Sequence, residues 1–356
     1  MTDKVRRAIV DGVWAVGGRI PPEPVLAGKY GVSINTVRRA VGNLVDDGIL
    51  ERRQGSGTYV LGIPLLPGGE ARLVGMLVPS TAYFYPRIIQ GAERTLSASN
   101  VSMLLTSSEY SVSSERDQIA RLVDSGVEGL ILVPNLHLID HAQRYVDGLR
   151  ELPVPFVLAE RKPPEPAPDD SVSYVVTDHA AGAYTALRHL HELGHRRIGF
   201  LGRERTGTSD PIAAGFEAAL VRLGLKRIGD AVVRRPQWGA EEITDYLDRC
   251  RASRITAVFC HGDEDAARLV SDAKREGLTV PGDLAVIAYD DEVAHLGDTP
   301  LTSVAPPKAE VGSESARLLL QHLSEPTFPP QRTSLLPRLI VRASSGSASA
   351  PRAPRA

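Results

Sequence analysis

A chain of 356 residues with 42% hydrophobic and 24% charged content is too long for one small module and suits two or three domains. The net charge of −2 excludes a uniformly basic nucleic-acid coat, but the charge is unevenly spread. Up to Ile63 nine Lys and Arg face six acids, an excess of +3 that leaves the remainder at −5, so one end suits DNA and the other avoids it. The N-terminus lacks an apolar signal core and no run approaches membrane-spanning length, so cytoplasmic residence without a membrane partner is expected. Two cysteines, Cys250 and Cys260, fall late in a helical pattern and at the end of an apolar strand, where buried thiols are expected rather than a disulfide.

In chain order, the spacing predicts a short helix over 24–29, a tight turn at Gly31 and a second helix opened by Ser33 as N-cap. Val37, Val41, Leu44 and Val45 recur at helical spacing and give that helix one buried face. The same geometry turns Asn35, Thr36, Arg38 and Arg39 outward, as a helix in a DNA major groove requires. Two strands follow, over 49–53 and 58–61, joined by the Gly-Ser-Gly tip at 55–57. Residues 64–71, rich in Gly and Pro, read as a linker that closes a first domain at 1–63.

From 72 to 343 apolar strands alternate with amphipathic helices. Strands are expected near 73–78, 101–106, 128–133, 154–159, 196–201, 255–260 and 284–289. Helices are expected near 86–98, 113–125, 140–150, 178–193, 211–223, 239–251 and 263–276. Such alternation specifies an α/β fold with parallel sheets, and continuous runs such as Gly-Leu-Ile-Leu-Val mark strands covered on both faces. The proline-rich stretch 162–171 divides this body into two similar halves, and the tail 344–356 (Ser, Ala, Pro, Arg) reads as disordered.

The order helix, turn, helix and Gly-tipped wing resembles the winged helix-turn-helix of GntR-type transcription regulators over residues 1–63. That resemblance implies double-stranded DNA as a partner, contacted by Ser33, Asn35, Thr36, Arg38, Arg39, Arg53, Gln54 and Gly55. It also shows a departure: Pro24 and Ile34 stand where relatives often carry phosphate-binding arginines.

The body resembles the effector-binding domain of LacI/GalR repressors, related to periplasmic sugar-binding proteins. Three segments carry this: Glu-Leu-Gly-His-Arg-Arg-Ile-Gly-Phe-Leu-Gly (192–202), Gly-Leu-Thr-Val-Pro-Gly-Asp-Leu-Ala-Val-Ile-Ala-Tyr-Asp-Asp (277–291) and Thr-Pro-Leu-Thr-Ser-Val (299–304). The resemblance implies two lobes joined by three crossovers, placed near 160, 291 and 325, with a ligand cleft between them. It assigns to that cleft the aromatic pair Phe84 and Tyr85, the pair Glu160 and Arg161, a sugar-stacking Trp238, Asp263 and Asp290. Trp238 is accordingly expected to be an exposed ring that contributes little to folding. Gly262 replaces an expected Asn. The segment Ser-Asp-Pro-Ile-Ala-Ala-Gly-Phe (209–216) lacks an expected Arg, which argues for a neutral sugar, with Asp210 as a further hydroxyl contact. Fused in this order, head and body resemble the hybrid arrangement of arabinose-type repressors, and a homodimer responding to a small sugar is expected, with no cofactor.

Two rival readings compete. The missing Arg and Gly262 suit a DNA-binding protein with a decayed cleft. His191-Glu192-Leu193-Gly194-His195 has the HExxH spacing of a zinc hydrolase, but Gly194 reads as a helix C-cap that puts His195 beyond the helix. Cys260 and His261 are adjacent in a strand and point to opposite faces, which rules against a nucleophile and its base. No catalytic and no metal-binding residue is therefore expected.

Overall fold

The computed structural model describes Met1, Thr2, Val5, Ala8, Trp14 and residues 17–46, 49–53, 57–60 and 72–346. The chain forms two compact units, Met1–Arg72 and Leu73–Ala356.

In the first unit, α1 (Glu23–Tyr30) carries Pro24 in its first turn and stops at Gly31, whose φ of 64° lets its N–H close back on Ala27. Such a left-handed cap suits glycine. The second helix, α2 (Ile34–Asp46), starts behind Ser33, whose Oγ accepts the Thr36 N–H at 3.2 Å. Val37, Ala40, Val41 and Leu44 bury one face of α2 against Leu26, Ile49, Leu50 and Val60. The antiparallel pair β1 (Leu50–Arg53) and β2 (Gly57–Val60) completes the unit.

The second unit opens with β3 (Leu73–Val78), α3 (Pro86–Ala98), β4 (Ser102–Ser107), α4 (Val112–Asp124), β5 (Gly129–Leu132), α5 (Ala142–Leu149), β6 (Phe156–Ala159) and β7 (Tyr174–Thr177). It continues through α6 (His179–Glu192), β8 (Ile198–Arg203), α7 (Ser209–Arg222), β9 (Val232–Arg235), α8 (Ala240–Ala252), β10 (Ala257–Cys260) and α9 (Asp263–Arg275). The last elements are β11 (Ala285–Tyr289), β12 (Thr302–Ala305), α10 (Lys308–Ser324), β13 (Arg332–Leu335) and β14 (Arg338–Ile340). They form two six-stranded sheets, β13-β7-β6-β5-β3-β4 and β14-β12-β11-β10-β8-β9. All pairings are parallel except β12 with β14. Each sheet is covered on both faces by helices, as its near-continuous burial requires.

The crossovers differ from those expected near 160, 291 and 325. Leu158 pairs with Tyr174, so the proline-rich stretch 162–171 is a loop inside the first lobe, and β7 still belongs to it. The chain first crosses at Asp178, between β7 and α6. After Tyr289 it adds β12 to the second sheet and returns at Pro306–Pro307, because α10 packs on the first lobe through Val311, Leu318 and Leu319. The third crossing, Leu336–Pro337, separates β13 from β14. The first residues of the stretch expected to be a disordered tail are ordered. Ser344 and Ser345 are buried; Ser344 Oγ donates to Val286 O at 2.6 Å and accepts from Thr302 N at 2.8 Å. Residues 347–356 lie outside the described residues.

Candidate functional site

A cavity of about 370 Å³ opens between the two lobes. Its lining comes from the loops that follow the carboxyl ends of β3, β4 and β6 in one lobe and of β8, β10 and β11 in the other. Open α/β sheets bind ligands at this end, and small-molecule pockets span roughly 300–1,000 Å³.

The first lobe contributes Tyr83, Phe84, Tyr85, Tyr110 and Arg161. Phe84 and Tyr85 meet edge to face at 5.5 Å, and Tyr85 is buried while Phe84 is partly open. The Arg161 guanidinium is fixed by three donations, from Nε to Pro134 O at 3.0 Å, from Nη1 to Glu160 O at 2.7 Å and from Nη2 to Tyr85 Oη at 3.3 Å.

The second lobe contributes Arg203, Arg205, the turn Thr206–Thr208, and His261, Gly262, Glu264, Asp265 and Asp290. Arg203 grips the buried Asp265 in a bidentate pair at 2.6 and 2.9 Å. His261 accepts the Arg203 N–H on Nδ1 and pairs with Thr208 Oγ1 through Nε2 at 2.9 Å. Burial, then the neighbouring His179, Arg203 and Arg234, push its pKa down to about 3, so the ring is neutral. Asp290 adopts a φ of 100° at the end of β11. Burial pushes its carboxyl up to about 6, partly offset by Lys308.

Four of the seven residues expected at the cleft therefore line it: Phe84, Tyr85, Arg161 and Asp290. The other three do not. Glu160 turns away to Thr177 Oγ1 at 2.5 Å and His179 Nε2 at 3.3 Å. Burial raises its pKa, but the His179 and Thr177 contacts outweigh that and hold the carboxyl below the ordinary range. Asp263 is fully buried and accepts from Glu292 N at 2.6 Å, Val293 N at 3.1 Å and Ser303 Oγ at 2.8 Å, so it ties down the loop after β11. Trp238 is a core residue rather than a cleft ring. It is 1% exposed, donates from Nε1 to Gly202 O at 2.9 Å and packs edge to face on Tyr246. Asp210 points out to Arg234 at 2.5 Å and does not line the cavity. Tyr83, Tyr110, Arg203, Arg205 and Glu264 were missed; their one sequence signal is a place at or just beyond a strand end.

The HExxH spacing does not produce a metal site geometry. Helix α6 ends at Glu192, Gly194 takes a φ of 92°, and His195 Nδ1 pairs with Thr256 Oγ1 at 2.9 Å. No cluster of three or more His, Cys, Asp or Glu suited to a metal occurs among the described residues. Cys250 and Cys260 are free and buried, and burial pushes the Cys250 thiol up to about 12.

In the first unit, Asn35, Arg38 and Arg39 are exposed on α2, Thr36 is half-buried, and Ser33 serves as the cap. Glu23 gathers two of the basic groups, Arg38 at 3.0 Å and Arg52 at 3.3 Å. Arg53 pairs with Glu51 at 2.7 Å and stacks over the Tyr59 ring at 4.6 Å. Gln54 and Gly55, expected at the wing tip, lie outside the described residues.

A winged helix-turn-helix unit followed by a two-lobed α/β unit with a ligand-sized cleft defines a DNA-binding, ligand-responsive transcription regulator. Residues 1–60 match the bacterial regulatory proteins of the gntR family, and residues 187–345 match the periplasmic binding protein-like domain. The chain is 28% identical over 347 residues to the arabinose metabolism transcriptional repressor of Geobacillus stearothermophilus, covering 95% of this chain and 94% of that one. It is 30% identical over 260 residues to the HTH-type transcriptional repressor CytR of Escherichia coli (strain K12), covering 71% and 73%. Among solved structures, the transcriptional regulator CelR–cellobiose complex superposes with a TM-score of 0.66 at 26% identity, covering 92% of this chain and all of that one. The chain belongs to the helix-turn-helix transcriptional repressors of LacI and GntR type. Among the described residues no helix is long and apolar enough to cross a membrane.

Proposed function

We propose that the protein is a cytoplasmic repressor that binds a partly palindromic operator as a homodimer and changes its grip on DNA when a small sugar fills the cleft. The observation that carries this reading is the interlobe cavity, in which aromatic rings of one lobe face hydrogen-bonding side chains of the other. Aromatic faces stack on sugar rings, and carboxylates and guanidinium groups take up hydroxyls. Similar proteins named for arabinose and cellobiose support the sugar class. A dimer follows from the limited affinity of one helix-turn-helix module, since paired half-sites supply the rest.

The site is split across a hinge, and that is what gives a ligand leverage. Phe84, Tyr85 and Arg161 precede the first crossing, whereas Arg205 and Asp290 follow it. A ligand touching both groups binds the closed arrangement better than an open one, and only such differential affinity shifts a conformational equilibrium. Of the DNA contacts, Asn35 and Thr36 suit base edges, while Arg38, Arg39 and Arg53 suit phosphates. Exposed Arg38 and Arg52 exchange Glu23 for phosphate on binding.

The test is operator selection from a random duplex pool, followed by titration of the selected duplex with and without pentoses, hexoses and disaccharides. The expected result is a selected palindrome whose affinity changes with one sugar. If no duplex is enriched, the DNA reading fails; if a nucleobase or amino acid alters affinity and no sugar does, the sugar reading fails.

A further inference from the structure

We infer that the effector carries an anionic group, a carboxylate or a phosphate, on its polyhydroxyl frame, seated against Arg161 and Arg205. This inference rests on the sugar-sensing reading above and sharpens it.

The charges around the cavity are sorted by side. The groups acting on Tyr83 are the acids Asp290, Asp263 and Glu264, whereas those acting on His137 are chiefly the cations Arg161 and Arg205. Burial first, then these two guanidinium groups, push His137 down to about 4, so it stays neutral. Its buried Nδ1 has no hydrogen-bond partner among the described residues.

The basic side is only partly balanced within the protein: Arg161 lies in the field of Glu160 and Glu115, whereas Arg205 has no ion pair among the described residues. Arg203 is spent on Asp265, but Arg161, only 6% exposed, makes no ion pair among the described residues and donates to two carbonyls and a phenol. The nearby Glu160 and Glu115 carboxylates are taken up by Thr177 and His179 and by Asn135 and Tyr145. Arg205, exposed at the cavity wall, makes no hydrogen bond or ion pair among the described residues. Arg205 thus keeps its donors free at the cavity wall, where a ligand anion can accept them in charge-assisted hydrogen bonds.

The backbone adds to the same corner. A Cβ at Gly207 would fall 2.3 Å from Arg161 Nη2, so glycine lets the turn after β8 approach this guanidinium without displacing it. The turn leads into the fourteen-residue α7, whose N-terminus is not capped by the Thr208 side chain. Helix N-termini favour negative charge. The missing Arg in 209–216, which argued for a neutral ligand, is thus replaced from a different place in the chain.

The test uses the full chain and matched pairs, measured by calorimetry and thermal shift: glucose with glucuronate and glucose 6-phosphate, ribose with ribose 5-phosphate, and cellobiose with cellobionate. In one pair the acid or phosphate should bind about ten-fold or more tightly than its neutral parent, the scale of a charged hydrogen bond. Response to the carboxylates or to the phosphates tells which anion is recognised. Arg205→Gln, at an exposed position, should abolish that preference by weakening the acid or phosphate far more than its neutral parent. Neutral parents binding as well as their acids, or a preference that survives Arg205→Gln, would overturn the inference and leave the sugar reading standing. If no member of any pair binds, both readings fall.

Discussion

Trp238→Phe should destabilise the second unit without touching the ligand response. The indole is enclosed by Leu201, Ile243, Leu247 and Tyr246, and its N–H is the donor to Gly202 O, at 2.9 Å. Phenylalanine retains most of the apolar burial but leaves that carbonyl facing apolar side chains, at a cost of about 1–3 kcal/mol. The smaller ring adds about 1 kcal/mol for unfilled space, so the sum is about 2–4 kcal/mol. Urea denaturation followed by circular dichroism reads this directly; tryptophan fluorescence does not, because Trp14 is the only other indole. Effector affinity, measured with whichever sugar first alters DNA binding, should remain within about two-fold, far less than the loss expected for a removed hot-spot ring. Wild-type stability combined with a lost effector response would refute the reasoning, because it would put the ring in the cleft after all.

Further expectations concern the DNA surface, the hinge and the helix crossing. Arg38→Ala should weaken DNA binding about equally on all sequences and reduce its salt slope by about 1, whereas Glu23→Gln should strengthen it by releasing Arg38 and Arg52; gel-shift titration over a salt series checks both. Asp290 has a folded pKa of about 6, above its ordinary 3.8, so its contribution to stability is present below pH 4 and lost as pH rises through 6. Asp290→Asn should therefore gain up to about 3 kcal/mol over wild type at pH 7.5 and less at pH 5, while weakening the effector; equal gains at both pH values would contradict this. Gly312→Ala should destabilise by at least about 1–3 kcal/mol, because its Cβ would lie 1.9 Å from Ile88 O and force α10 off α3. Unchanged denaturant midpoints would show that the helices can part freely.

Much of this architecture is written in short-range pattern. The head was legible because its signals are local: the Ser33 cap, the left-handed Gly31 and the buried face of α2 all act within a few residues. The long apolar strands were legible because burial on both faces leaves an unbroken run. The crossovers were not, since they depend on which sheet a short strand joins. Tyr174–Thr177 and Arg332–Leu335 are four-residue strands whose membership is fixed by pairing with each other, some 158 residues apart in sequence. The same holds for Ser344 and Ser345, whose composition suggests a loose tail but whose hydroxyls meet Val286 and Thr302.

The candidate site shows why a strand-end position is a necessary signal and not a sufficient one. Glu160, Asp263 and Asp290 all sit at or just beyond strand ends, yet only Asp290 lines the cavity. What separates them is the consumption of their oxygens by partners that no local pattern reveals. Glu160 is taken by Thr177 and His179, which flank the first crossing at Asp178. Asp263 is taken by the backbone of Glu292 and Val293 and by Ser303, in the stretch that leads to the second crossing. A buried carboxylate with three donors is stabilised as a fixed joint. Asp290 lines the cavity with no carboxyl hydrogen bond among the described residues; burial raises its pKa, and Lys308, which donates to the Asp290 backbone carbonyl and the Glu292 carboxylate, offsets this in part. The two buried acids that were expected to grip the effector thus brace the strand ends that carry Arg161 and Asp290 into the cavity wall.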